Sequence, residues 1–212
     1  MGHVVGGSQG GSRGIVRKGE PFDMREVSRV LAGVFDDNPL TGWYHPRPRS
    51  RFRKLRLGFE HSFMESCRTS GGADVAADGA HRIVGAGLWI STPRVPPKVA
   101  LPLDDWVRLR RLYGSRVREV LEGSRLTWAS HVQEPHWHLL AIGTAAAVRG
   151  QGYGAALMTA GLARCRADGL PAHLETAKPE NIPYYERFGF TTIGTVDMPN
   201  GGPRNWMMRF EP

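Results

Sequence analysis

The stretch WHLLAIGTAAAVRGQGYGAALMTAGLARC, residues 137–165, passes from an apolar run through a glycine-rich turn into an alanine-rich run. Trp137 to Thr144 is short, apolar and flanked by small residues, which predicts a buried central strand. Arg149-Gly150-Gln151-Gly152-Tyr153-Gly154 follows, and Ala155, Ala156, Leu157, Met158, Ala160, Leu162 and Ala163 continue as a helix. Glycine has no Cβ, so backbone N–H groups in such a turn can approach a ligand closely. The helix N-terminus adds unsatisfied donors and a partial positive charge. Strand, turn and helix together predict an anion site suited to a diphosphate.

Three ligand classes compete for that site. A phosphate-binding P-loop requires Lys and then Ser or Thr after its last glycine, but Ala155 and Ala156 stand there. A dinucleotide fingerprint fits Gly150, Gly152 and Ala155, with Glu175 about twenty residues on. That fingerprint opens a large doubly wound sheet, and the chain after Gly154 is too short to supply one. The third class is coenzyme A. The pattern Arg149-x-x-Gly152-x-Gly154 after a strand resembles the pyrophosphate-binding signature of the GCN5-related N-acetyltransferases (GNAT).

A second segment extends the resemblance. Residues 174–190, LETAKPENIPYYERFGF, predict a strand end, a loop, a short helix and a new strand. Pro183 suits the first turn of that helix, and Gly189 its C′ position. In Tyr185-Glu186-Arg187-Phe188-Gly189-Phe190 a tyrosine stands four residues before a Gly-Phe pair. This spacing resembles the family's tyrosine beside the coenzyme sulfur, with Asn181 where an asparagine touches the coenzyme arm. Glu134 to Leu139, Leu174 to Thr176, Asn181 to Phe190 and the tail Gly202 to Met208 most resemble the puromycin N-acetyltransferase branch. Ala146 departs from the family's usual proline and Arg149 from its usual glutamine.

Composition narrows the alternatives. Hydrophobic content of 41% and charged content of 23% are those of an ordinary globular chain. There is no apolar run long enough to span a membrane and no signal-peptide core, so the expected compartment is the cytoplasm. Two cysteines far apart, Cys67 and Cys165, argue against a disulfide framework. His131, His136 and His138 lack a completing cysteine or carboxylate motif, so no metal is expected. The net charge of +8 raises nucleic acid as a partner. Arginines 47, 49, 51, 53 and 56, however, alternate with Phe52, Leu55, Phe59 and Phe63 at helical spacing, which assigns the aromatics to a core. No nucleic-acid partner is expected, and the basic surface suits a polyphosphate coenzyme.

Taken in order, residues 1–14 are glycine-rich and expected to be flexible, and residues 15–212 form a single expected domain. Ile15–Lys18 predicts a strand. Asp23 can cap a helix carrying Val27, Val30, Leu31, Val34 and Phe35. Residues 40–48 read as an irregular aromatic loop. Ala73–Ala77 and Arg82–Ile90 predict an antiparallel pair. Ser91–Pro102 is a proline-rich connection, and residues 103–131 predict helix broken near Gly114 or Gly123. Residues 191–196 and 205–210 close the sheet.

The resemblance implies an α/β (α+β) fold: a mixed, mostly antiparallel sheet flanked by helices, with a splayed central strand. It implies direct transfer of acetyl from acetyl-CoA to a primary amine of a small molecule. Ile142, Gly143 and Thr144 would meet the pantetheine arm, and the N–H groups of Arg149, Gly150, Gln151, Gly152, Tyr153 and Gly154 the pyrophosphate. Asn181 would touch the arm, Tyr185 would protonate the leaving thiolate, and Glu134 would serve as general base, with His136 and His138 as rivals. Trp43, Tyr44 and Trp89, with His138, are candidates for the acceptor pocket, core packing being the other account of Trp89. A homodimer is compatible with this reading. The alternatives are a protein lysine or N-terminal acetyltransferase and a non-catalytic acyl-CoA sensor.

Overall fold

The structure, a computed structural model, describes residues 15–68, 72–92, 103–129 and 134–212. The glycine-rich residues 1–14, most of the proline-rich connection and His131 lie outside the described residues. The elements in chain order are β1 (Ile15–Lys18), α1 (Met24–Val34), α2 (Pro39–Tyr44), α3 (Pro48–Arg68), β2 (Ala73–Ala77) and β3 (Ile83–Thr92). Then come α4 (Leu103–Tyr113), α5 (Val117–Ala129), β4 (His136–Thr144), α6 (Tyr153–Asp168), β5 (Ala172–Thr176), α7 (Ile182–Glu186), β6 (Phe190–Asp197) and β7 (Arg204–Phe210).

The strands form one sheet in the order β1-β2-β3-β4-β5-β7-β6. Only β4 and β5 run parallel; the other pairings are antiparallel. This is the mixed, mostly antiparallel sheet expected. Alternation along the strands sends Val75, Leu88 and Ala141 towards α1 and α3, where Val27, Leu31 and Phe63 are fully buried. The opposite face sends Trp89, Trp137, Leu139 and Leu174 towards α6, against Met158 and Leu162. On α3, Leu55 and Phe63 are buried as the periodicity requires, but Phe52 is exposed, so the apolar stripe is narrower than the sequence suggested.

Two local expectations change. Residues 40–48 are not wholly irregular, because α2 occupies Pro39–Tyr44. The Asn38 side chain accepts the Leu40 N–H at 2.9 Å, and Pro39 sits in the first turn. Capping and a preset φ outweigh the poor helix propensity of Thr41, Gly42 and Trp43. The helical stretch after residue 103 breaks at Gly114, whose φ is +60°.

The centre of the sheet is irregular where it matters. Leu88 pairs with Ala141 and Trp89 with Leu139, leaving Leu140 as the extra residue of a β-bulge. Leu140 and Ala141 therefore both face α1 and α3, and the alternation of β4 is reversed beyond them. On its other side β4 pairs with β5 only at Trp137–Ala172, His138–His173 and Leu139–Leu174. Past Leu139 the two strands part, and the edge of β4 from Leu140 to Thr144 faces an opening rather than a neighbour.

Candidate active site

Two concavities meet at this parting. The first is a groove of about 550 Å³ lined by Leu139 to Thr144 of β4, Arg149, Gly154, Leu174 to Thr176 of β5, Lys178, Asn181, Tyr184 and Tyr185, among others. The second, of about 520 Å³, lies on the α1/α3 face beneath α2 to α5 and includes Tyr44, Leu55, Phe59, Leu112, Tyr113, Trp128 and His138. Phe35, Asn38, Leu140 and Glu175 line both. Both volumes are of small-molecule size.

At the end of the groove the chain turns from β4 into α6. Gly150 (φ +78°) and Gly152 (φ +86°) occupy the left-handed region, which only glycine enters without strain. The N–H groups of Arg149 and Gln151 bond the Ala146 and Val148 carbonyls. They are therefore engaged inside the turn, which narrows the expectation that every N–H from 149 to 154 is available. Among the described residues, those of Gly150, Gly152, Tyr153 and Gly154 take no backbone partner, and they cluster at the N-terminus of α6. The donor set fits a diphosphate. The Tyr153 ring turns away from it and packs with Ala76, Val84 and Leu157. Gly143 is held against α1, since a Cβ there would come within 2.6 Å of Val34.

Across the groove, Asp37 and Lys178 form an ion pair of 2.7 Å that ties the end of α1 to the loop after β5. The hydrogen bond from Lys178 holds the Asp37 carboxyl below its ordinary pKa. Tyr185 is nearly buried, and burial, with Tyr184 beside it, pushes its phenol well above the usual range. The phenol is accordingly protonated at neutral pH, the state a proton donor needs. Burial raises the Tyr184 phenol as well.

Where the two concavities join, Glu175 Oε2 lies 2.8 Å from His138 Nε2, and Glu175 Oε1 lies 3.3 Å from His173 Nε2. His138 and His173 are buried side by side, with His136 next in the row beyond His173. Tyr44 stands edge-on to Tyr113 with ring centroids 5.5 Å apart, and Trp128 is edge-on to His138 at 6.4 Å. Burial raises the Tyr44 phenol, with smaller contributions from Tyr113 and Glu175.

The structure brings Ile142, Gly143, Thr144, Arg149, Gly154, Asn181 and Tyr185 along one groove, and Tyr44 and His138 into the adjoining cavity. It does not bring Glu134, Trp43 or Trp89 there. Glu134 is exposed before β4, at the end opposite Ile142–Thr144, and pairs with Arg209. Trp89 is fully buried on the other face of the sheet, packed so closely on α6 that a Cβ at Gly161 would lie 2.3 Å from its ring. Trp43 packs with Val196, Met198, Met207 and Leu126 and beneath the Arg116 guanidinium.

Sequence reasoning gave no catalytic role to Glu175, Tyr113 or Trp128. Glu175 carried a signal, a carboxylate within the otherwise buried strand Ala172-His173-Leu174-Glu175-Thr176. A charge at a strand position otherwise occupied by buried residues requires a buried partner or a cavity. His138 and the cavity supply both.

Fold, groove and cavity define an acyl-group transferase architecture, and the comparisons agree. Residues 103–190 match the family model described as Acetyltransferase (GNAT) family. Over 188 residues the chain is 22% identical to an uncharacterised N-acetyltransferase of Schizosaccharomyces pombe, covering 81% of this chain and 72% of that one. Among solved structures it is similar to the Corynebacterium glutamicum protein described as histone acetyltransferase HPA2 and related acetyltransferase. That likeness has a TM-score of 0.68 and 25% identity over 94% of this chain and 97% of the other. The Drosophila melanogaster polyamine N-acetyltransferase shares the fold with a TM-score of 0.69, at 18% identity, over 94% and 100%. Residues 103–190 are thus similar to the Acetyltransferase (GNAT) family, and the chain is an acetyltransferase enzyme.

Proposed function

We propose that the protein moves acetyl from acetyl-CoA to a primary amine of a small molecule by direct transfer, with the donor in the groove and the acceptor in the adjoining cavity. The observation that carries this reading is Glu175, the carboxylate common to both concavities. An amine reacts only as the neutral base, so a protonated acceptor must lose a proton before or during attack. Glu175 accepts it, and its hydrogen bond to His138 fixes the carboxylate orientation. Glu175 thereby replaces Glu134 as the proposed base.

The coenzyme pyrophosphate rests on the free N–H groups of Gly150, Gly152, Tyr153 and Gly154, with the Arg149 side chain beside it. The pantetheine arm runs along the unpaired edge of β4 at Ile142, Gly143 and Thr144, reached on the far side by Asn181. Backbone N–H groups at the bulge polarise the thioester carbonyl and stabilise the developing oxyanion, commonly a large contribution. As the amine nitrogen bonds to the carbonyl carbon, the carbon–sulfur bond breaks and the thiolate takes a proton from Tyr185. The products are an amide and coenzyme A.

The segments resembling the puromycin N-acetyltransferase branch make puromycin the first acceptor to try. Release of free thiol from acetyl-CoA, with and without puromycin and simple primary amines, tests the function. Amine-dependent release that collapses in Glu175→Gln supports it. Tight acetyl-CoA binding with no release for any amine would leave a binding protein instead.

A further inference from the structure

The acceptor cavity has a chemistry specific enough to choose among amines. Among its described lining residues Glu175 is the sole carboxylate, and it sits at one end, at the junction with the groove. The other polar lining residues are neutral or basic, among them Asn38, Ser124, Thr127, Asn205, His138 and, on α4, Arg108. Aromatic rings supply much of the wall: Phe35 at the junction, Trp128 against His138, and Tyr44, Phe59 and Tyr113 around them. A polyamine or a lysine-rich peptide would place one ammonium on Glu175 and then bring further cations into this space. Each would lose hydration without gaining a counter-charge. A ring joined to a single amine instead lays its apolar face on the aromatic wall and its one charge on Glu175.

We propose that the acceptor class is an aromatic monoamine, and that the scarcity of carboxylates among the described lining residues disfavours polyamines and basic peptides. The proposal rests on the reading that this cavity is the acceptor site. Charge count thus separates this chain's acceptor from that of the polyamine enzyme whose fold it shares.

The test is direct binding, so that it does not depend on turnover. Calorimetric titrations of the full chain, in the presence of coenzyme A, compare 2-phenylethylamine and tryptamine with 1,4-diaminobutane, spermidine and a lysine-containing peptide. The expected result is binding of the aromatic monoamines about tenfold or more tighter than the polycations, a ratio within reach of a single pocket. Ser124→Asp, which adds a second carboxylate to the lining, should raise diamine affinity and narrow that ratio. Trp128→Ala should weaken the aromatic amines and leave the diamines unchanged. Spermidine or the peptide binding as tightly as tryptamine overturns the proposal, as does a ratio that Ser124→Asp does not move. Thiol release measured on the same amines separates the two readings. Selective aromatic binding without release leaves the acceptor class standing and removes acetyl transfer, whereas polyamine-dependent release keeps transfer and removes the class.

Discussion

Glu175 Oε2 stands 2.8 Å from Nε2 of His138, with Glu175 one residue beyond the last ladder pair of the two strands, Leu139–Leu174, and His138 one residue before it. The carboxylate is oriented by a buried ring while its surroundings open into both concavities. Glu175→Gln keeps the shape and removes the basicity, so kcat should fall by about 10²-fold or more. His138→Gln should cost less, acting through orientation. Steady-state rates across pH check this, with little change expected in acetyl-CoA affinity for either variant.

Tyr185→Phe deletes only the phenolic oxygen from a ring packed against Phe190 and Tyr184. Loss of the proton donor should lower kcat by about tenfold to a hundredfold while acetyl-CoA binding is kept. A non-catalytic acyl-CoA sensor would show no change in acetyl-CoA binding and no rate to lose. Calorimetry and thiol release on the same preparation distinguish the two.

Gly152, at φ +86°, is the residue from which α6 springs. Alanine in the left-handed region is strained by about 1–2 kcal/mol. Gly152→Ala should therefore distort the turn and weaken acetyl-CoA roughly tenfold. The same substitution at Gly194, where a Cβ would meet nothing within 4 Å, is the control. Titration calorimetry with acetyl-CoA reads both.

Gly161 allows the Trp89 indole to approach the backbone of α6 closely. Gly161→Ala should destabilise the fold by about 1–3 kcal/mol through overpacking. Adding Trp89→Leu in the same chain should recover part of the loss, because the new methyl then has room. Urea unfolding of the two variants checks the sign of the coupling.

Burial, then the nearby Lys54 and Arg51 charges, depress the His45 pKa from 6.5 to about 4. The unfolded chain thus binds a proton at His45 across that window while the folded chain does not. Stability from this residue is complete above pH 6.5 and is lost as pH falls through about 4, by up to about 3 kcal/mol. His45→Gln should flatten the slope of unfolding free energy between pH 4 and 6.5. A slope as steep as that of the parent chain would remove His45 as its source.

Local chemistry made much of the fold legible. Apolar periodicity located the strands and the long helices, Gly114 and Gly123 offered two places for the break between α4 and α5, and the glycines of residues 150–154 marked the turn. These features are set by residues adjacent in sequence, through φ preference and alternation, so they can be read without the rest of the molecule. Glu134 was misplaced for the complementary reason. Proximity to the central strand in sequence does not say which end of the strand faces the cavity.

By itself the sequence determined the strand–turn–helix that offers backbone donors, the short tyrosine helix and the family resemblance both carry. Only the tertiary structure decided that β4 bulges at Leu140 and parts from β5 after Leu139. It likewise decided that Trp89 belongs to the core, that Trp43 buttresses β6 and β7, and that Glu175 joins the two concavities. Those outcomes depend on register between strands and on walls drawn from Phe35 to Asn205. Pairing and packing between distant residues are collective, and no local run of residues contains them.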